Sequence, residues 1–244
     1  MKVQEDALLA SGAPLLIRST MDAATRPIRS DFEASRVRFL EAADRVYVQA
    51  GYDGSTIRAI TAEAKTSLAR LNRHWSGKKD LFRDVFARHF RPIHAAQNAR
   101  LDALESAGQG ADIRGILEAL LTPGLLGNRG ATDTRLSHLV YSRALVDLAP
   151  DAVDLVRALT GEMQPRVISM LRAALPDLPP EAFFLAMNTV MGAFVYPQVL
   201  GPRLAQRMGM DFAAFDWTSA GSTIALMLEA GLRKADTDLS PGSG

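Results

Sequence analysis

Residues 35–90 constrain the fold more than any other part of the chain. Apolar residues recur there every three or four positions in short runs, and each run ends at a turn signal. Phe39, Leu40, Ala43, Val46, Tyr47 and Ala50 mark one face of a first amphipathic helix that stops at Gly51-Tyr52. Ser55-Thr56 open a short second helix and Thr66-Ser67 a short third, since small hydroxyl side chains satisfy the free amides of a helix start. Short helices with a tight turn before the last are helix-turn-helix grammar. Cations gather on the same stretch: Arg58, Lys65, Arg70, Arg73, Lys78 and Lys79 lie between Gly54 and Asp80, with only Glu63 opposing them. Such a surface attracts phosphates.

Beyond residue 78 the pattern stays helical and offers no convincing alternating strand pairs, so the expected fold class is all-α. A fourth helix begins near Lys78, where Leu81, Phe82, Val85, Phe86, His89, Phe90 and Ile93 recur on one face that should join a head to a body. Pro92 lies inside this pattern and should kink or interrupt it. Further helices are expected at about 111–121, 133–148, 151–175, 180–200 and 211–234, for roughly nine in all. Gly and Pro clusters such as Gly108-Gln109-Gly110, Pro123-Gly124 and Gly201-Pro202 separate them. The expected organisation is an amino-terminal arm over 1–30, a helix-turn-helix domain over 31–77, a helical body over 78–235 and a disordered tail over 236–244.

Composition supports a packed soluble protein: 48% of the residues are hydrophobic and 23% are charged. The formal net charge of +1 averages a basic head against acidic segments such as 147–154, so the whole-chain value conceals the polyanion signal. With no cysteine, disulfides and thiolate chemistry are excluded. The first residues make no convincing signal peptide, and a cytoplasmic location is expected. Residues 182–202 carry no formal charge and could be read as a membrane span. Asn188, Thr189, Gly192, Pro197 and Gln198 interrupt that run, and a helix buried against both its own body and a partner subunit explains it better.

The order and spacing of residues in the head resemble the tetracycline-repressor (TetR) family. That family's alanine-rich helix, G-[YF], [ST]-T, I-A, turn, L-Y, H-F and K-x-x-L pattern meets Ala42-Ala43, Gly51-Tyr52, Ser55-Thr56, Ile60-Thr61, Ala64-Lys65-Thr66-Ser67, Leu71-Asn72, His74-Trp75 and Lys78-Lys79-Asp80-Leu81. Two departures change the chemistry. Lys65 stands in place of the turn glycine, so its backbone must avoid positive φ or tolerate it at a cost. Asn72 replaces a tyrosine and Arg73 follows it, so the family's operator preferences do not carry over.

The resemblance implies a three-helix head, a six-helix body, homodimerisation, a double-stranded DNA operator and a small effector bound in the body. Ser67, Leu68, Ala69, Arg70, Asn72, Arg73 and His74 occupy positions that approach DNA, while Lys78 and the Ser55-Thr56 pair commonly meet backbone phosphate. Arg70 or Arg73 could take guanine through two hydrogen bonds, Asn72 could pair with adenine, and Leu68 or Ala69 could touch a thymine methyl. Leu71 and Trp75 fall on the inward side. For the dimer interface, Phe183, Phe184, Met187, Val190 and Phe194 offer more apolar surface than one core face needs, with Trp217, Ile224 and Leu228 completing it. His94, Gln97, Leu117, Leu121, His138, Tyr141, Arg143, Met163, Val167, Asn188 and Met191 are candidates to line an effector pocket, whose occupant would be apolar or aromatic. The expected role is a ligand-responsive repressor; the alternative is a helical binding or structural protein without specific DNA recognition.

Enzyme readings are weak. The chain has no glycine-rich phosphate loop after a strand, no H-E-x-x-H helix and no cysteine nucleophile. His89 and His94 are five residues apart, off a common helical face, so neither a metal nor another cofactor is expected.

Overall fold

The computed structural model describes residues 22–127 and 133–239, and they contain eleven α-helices, one 3-10 turn and no strand. By compactness the chain divides after Val37. In the first unit the described residues are the opening of helix α1, where the Ser35 hydroxyl donates to the Phe32 carbonyl at 2.9 Å. The arm expected over 1–30 is therefore helix from Asp22 onward, and its earlier part lies outside the described residues.

The second unit begins within α1 (Asp22–Gly54), whose regular turns end at Gly51 with φ 70° and ψ −176°. A side chain is strained at that φ, and a Cβ there would stand 3.3 Å from the Arg143 guanidinium. Helix α2 (Ile57–Glu63) starts where the Thr56 hydroxyl accepts the Ala59 amide, and α3 (Leu68–Leu71) where Ser67 accepts the Arg70 amide. Between them Lys65 does adopt positive φ, at 51°. Helix α4 (Lys78–Ser106) runs through Pro92 without interruption.

The body continues with α5 (Ile113–Leu126), α6 (Thr134–Ala144), α7 (Pro150–Thr160), α8 (Met163–Ala174), α9 (Pro180–Val199), α10 (Gly201–Arg207), a 3-10 turn (Phe212–Ala214) and α11 (Trp217–Asp238). The helix expected over 151–175 is two, because the chain breaks at Gly161-Glu162. Helix α10 was not anticipated. The tail expected from 236 is still helix through Asp238.

A single core runs through this unit. The predicted inward face of α4 is buried throughout, from Leu81 to Ile93. Along it the aromatic rings form a ladder: Tyr52 on Phe82 at 5.0 Å, Tyr47 on Phe86 at 5.2 Å, Phe90 on Tyr141 at 4.5 Å and Tyr141 on Phe194 at 5.7 Å. Such ring pairs add about 0.5–1.5 kcal/mol each beyond the area they bury. The end of α1 is thus seated on α4.

Candidate nucleic-acid interface

Helix α3 is one turn long, and its two faces differ completely. Leu71 and Trp75 point inward and are 0% and 3% exposed, with Trp75 edge-on to Phe39 at 6.0 Å and its indole donating to Asp84 at 2.9 Å. Ser67, Leu68, Ala69, Asn72 and Arg73 are exposed, while Arg70 and His74 are half-buried. The His74 ring rests on Phe39 at 5.9 Å and Trp75 at 5.2 Å, which points it along the head's own core.

Charge around this face is sorted by pairing. Glu63, the acid that would oppose the patch, is taken by Arg45 at 2.6 Å. Arg58, Lys65 and Arg73 are exposed and make no ion pair among the described residues. Lys79 turns the other way, to Asp151 at 2.7 Å and Asp154 at 3.7 Å, so its charge serves the joint between head and body. Lys78 sits over the Tyr52 ring at 4.2 Å with its ammonium 3.4 Å from the Asp53 carbonyl, at the start of α4.

Of the two residues expected to meet phosphate in the α1–α2 turn, only one is exposed. Thr56 is exposed at the start of α2. Ser55 is 0% exposed, and its hydroxyl donates to the Gly51 carbonyl at 2.7 Å, so it shapes the turn and has no path to a phosphate.

Residues that sequence patterning missed hold the head to the body. The Asp147 carboxylate accepts from the Tyr47 hydroxyl at 3.0 Å, the Tyr52 amide at 3.0 Å and the Ala149 amide at 3.0 Å. Burial first, then the neighbouring Asp147, pushes the Tyr47 hydroxyl far above its ordinary pKa. Tyr52 donates to Asp151 at 3.3 Å and is pushed up to about 12 by burial and then by Asp151. Arg143, expected in an effector pocket, instead donates to the Val48 carbonyl at 2.5 Å at the end of α1. These partners are separated by almost a hundred residues of sequence, and no local pattern announces them.

A second connection is sealed in the core. His89 on α4 bonds Asp44 of α1 through Nε2 at 2.9 Å and Ser137 of α6 through Nδ1 at 2.8 Å, and Arg88 takes the other Asp44 oxygen at 2.5 Å. The order Ser-His-Asp resembles a nucleophilic triad. Asp44, Ser137 and His89 are 1%, 0% and 1% exposed, so no substrate reaches them; buried and satisfied, they fix three helices to one another.

The predicted pocket residues divide among different places. Met163, Val167, Asn188 and Met191 line a cavity of about 250 Å³ between α5, α8 and α9, together with Leu120, Phe184 and Met187. A separate cavity of about 40 Å³, which shares Leu120, Met163, Gln164 and Met191 with it, is lined by His94, Gln97 and Tyr141. There the Tyr141 hydroxyl pairs with His94 at 3.3 Å, and burial lowers the His94 pKa, keeping its ring neutral. Gln97 donates to the Leu120 carbonyl at 2.7 Å, but its own carbonyl oxygen is buried without a partner. Leu117 and Leu121 are fully packed in the core and line neither space, and His138 faces a separate cavity.

Helix α9 is long and apolar enough to cross a membrane by length and composition, yet only 22% of its apolar window is buried. Two residues expected at a dimer interface, Val190 and Phe194, are 0% and 4% exposed and belong to the subunit's own core. Phe184 is 66% exposed, and Phe183, Met187, Trp217, Ile224 and Leu228 are half-buried. The open stripe is Leu185, Thr189, Gly192, Tyr196 and Val199, at spacings of three and four, and Leu226 and Met227 on α11 are exposed as well. A helix apolar on every side gives periodicity no phase, so spacing does not separate Val190 and Phe194 from the open side.

Comparison with known proteins agrees with this geometry. The sequence model described as "Bacterial regulatory proteins, tetR family" matches residues 39–85, and "Tetracyclin repressor-like, C-terminal domain" matches residues 118–231. No curated protein matches the chain. Among solved structures, one assigned to the tetR family from Shewanella sp. PV-4 is similar at TM-score 0.54 and 15% identity, over 81% of this chain and 97% of that one. A transcriptional-regulator assignment from Pseudomonas aeruginosa PAO1 is similar at TM-score 0.53 and 17% identity, covering 83% and 91%. A bacterial regulatory protein in the tetR family from Rhodococcus RHA1 is similar at TM-score 0.52 and 20% identity, covering 82% and 96%. At these identities the structures share the fold alone.

Proposed function

The chain belongs to the TetR family of bacterial regulators, and from that premise we propose a dimeric, cytoplasmic transcriptional repressor that a small molecule releases from its operator. The observation that carries the DNA reading is the face of α3, whose exposed Asn72 and Arg73 stand beside the unpaired cations Arg58 and Lys65. The head extends to about Gly77 and the body follows from Lys78. Two subunits paired through α9 and α11 would offer two such faces to a palindrome-like site, with half-sites about 34–36 Å apart or a multiple of that.

Release is a matter of population. An effector lowers operator affinity only by the difference between its affinities for the DNA-competent and incompetent geometries. The cavity between α5, α8 and α9 suits this role because a smaller cavity that shares Leu120, Met163, Gln164 and Met191 with it is lined by the His94–Tyr141 pair. Those residues lie on α4 and α6, the helices whose His89 and Ser137 fasten Asp44 of the head. An occupant that parts α4 from α6 therefore acts on the joint. The lining is mostly apolar and burial lowers the His94 pKa, so the effector is an uncharged apolar or aromatic molecule. No enzymatic role is assigned, since the Ser-His-Asp arrangement found among the described residues is sealed.

Contact roles are tested by two substitutions measured on the same operator across salt concentrations. Arg73→Ala should weaken specific binding by about 1–3 kcal/mol if Arg73 reads a base, whereas Lys78→Ala should weaken binding to all duplexes and reduce the salt slope by about 1. Unchanged binding in both variants removes the contact assignment.

A further inference from the structure

The end of α6 and the turn that follows it serve two neighbours at once. Tyr141 and Leu145, four residues apart and so on one face of the helix, line the cavity of about 40 Å³ together with His94, Thr160 and Met191. Arg143 and Asp147 instead hold the end of α1. Arg143 donates to the Val48 carbonyl, and Asp147 accepts the Tyr47 hydroxyl and the Tyr52 amide, each at 3.0 Å. One short stretch of chain therefore walls a cavity in the body and grips the head.

That stretch is wound on itself. The Leu145 amide donates to the Tyr141 carbonyl at 3.3 Å, Val146 to Arg143 at 3.2 Å and Asp147 to Ala144 at 3.4 Å, while the Asp147 side chain takes the Ala149 amide at 3.0 Å. Leu145 lies midway between the two gripping residues, so a shift of its backbone is passed to both. The head side of the joint has little slack to absorb it: a Cβ at Gly51 would stand 3.3 Å from the Arg143 guanidinium and 3.7 Å from the Asp147 carboxylate.

A cavity of about 150 Å³ holds benzene, so at about 40 Å³ this one admits no ring unless a wall moves. Tyr141, Thr160, Met163 and Phe194 are fixed in the core, whereas Leu145 is half-buried just past the end of its helix and has room to yield. We propose that Leu145 is a positioning residue that couples this cavity to the head. Filling the cavity pushes Leu145 outward, draws Arg143 and Asp147 away from the end of α1, and frees the Gly51-Tyr52 bend that leads into α2. An effector extending from the larger cavity past the shared Leu120, Met163, Gln164 and Met191 would act by this route, and that consequence alone rests on the regulator reading.

The test fills the cavity by substitution in the full chain and reads the head by hydrogen exchange, without DNA. Thr160→Leu should speed exchange at the Tyr52 amide about tenfold more than at the Phe86 amide of α4, because the opening is local to the joint. Adding Leu145→Ala should remove that difference, since the vacated space receives the new side chain. Met191→Phe fills the same space from α9, should behave alike, and carries the test if Thr160→Leu does not fold. Equal changes at the two amides in a folded filled variant, or a difference that persists when Leu145→Ala is added, would overturn the coupling. Operator affinity should fall in the filled variants and recover in the double ones. A chain that selects no operator removes the regulator reading and leaves the exchange result to decide the coupling.

Discussion

The exposed side of α3 and the exposed stripe of α9 both face away from the chain's own core, and they differ in kind. The first is short, polar and cationic: Ser67, Asn72 and Arg73 keep their water and lose little by standing alone. The second is apolar, with Leu185 63% and Tyr196 50% exposed, and Met227 on α11 is 69% exposed. Exposed charge waits at small cost for an opposite charge, whereas contiguous exposed apolar area favours cover. The contrast supports the proposed partners by chemistry: a polyanion for α3 and a second copy for α9 and α11.

The strongest way to break that contrast is to place a charge on the apolar side. Leu226 is 51% exposed, so Leu226→Glu should fold normally as a subunit. Sedimentation should then find monomer at micromolar concentration, and operator affinity should fall by about 100-fold or more as one half-site is lost. A variant that stays dimeric would place the interface elsewhere.

Next in size is the joint between the two regions. Asp147→Ala removes an acceptor for three donors, two of them from the head. Unfolding in urea should show a loss of about 2–3 kcal/mol, because buried donors left unpaired carry their full desolvation cost. A loss under about 0.5 kcal/mol would mean the joint is held by its other contacts and that Asp147 adds little to it.

A smaller effect separates strain from charge inside the head. Lys65 sits at φ 51°, where a glycine is comfortable, so Lys65→Gly should raise stability by about 1 kcal/mol while weakening DNA binding through the lost cation. A drop in stability would show that the Lys65 side chain contributes more than its backbone costs.

The smallest expected effect is on pH. Burial lowers the pKa of His94 and of His138, so the folded chain refuses protons that the unfolded chain accepts below the ordinary value of 6.5. The stability they contribute is present above that value and is lost as the pH falls toward their folded pKa values. Thermal unfolding should shift downward between about pH 7.5 and about pH 5.5, and the double change His94→Phe, His138→Phe should flatten the shift. The carboxylates with lowered pKa values, Asp80, Asp151 and Asp216, lose their contribution only below 3.8, outside this window.

The same two regions show what sequence reading reaches. The head was legible because its signals are local: hydroxyl caps at Thr56 and Ser67, a positive-φ Gly51, and apolar spacing that sends Leu71 and Trp75 inward. Ser55 misled because a hydroxyl next to a cap reads the same whether it faces solvent or, as here, the Gly51 carbonyl. In the body, α7 and α8 merged in the reading because Gly161 alone is a weak stop signal. The chain from Asp44 through His89 to Ser137 and the grip of Arg143 and Asp147 on the head depend on pairs distant in sequence, which periodicity does not encode. The pocket was half legible: polar residues among apolar ones marked His94, Gln97 and Tyr141 together, but placed His138 and Arg143 with them although they serve other faces.

The account turns on α3 entering a groove of DNA as one of a pair. Selection of duplexes from a random pool by the purified full chain at moderate ionic strength tests this directly. The account predicts enrichment of a two-fold symmetric sequence whose half-sites lie one helical turn or a multiple apart, and loss of that enrichment in Arg73→Ala. Retention of duplexes without sequence preference, by a chain that is folded and dimeric, would contradict it.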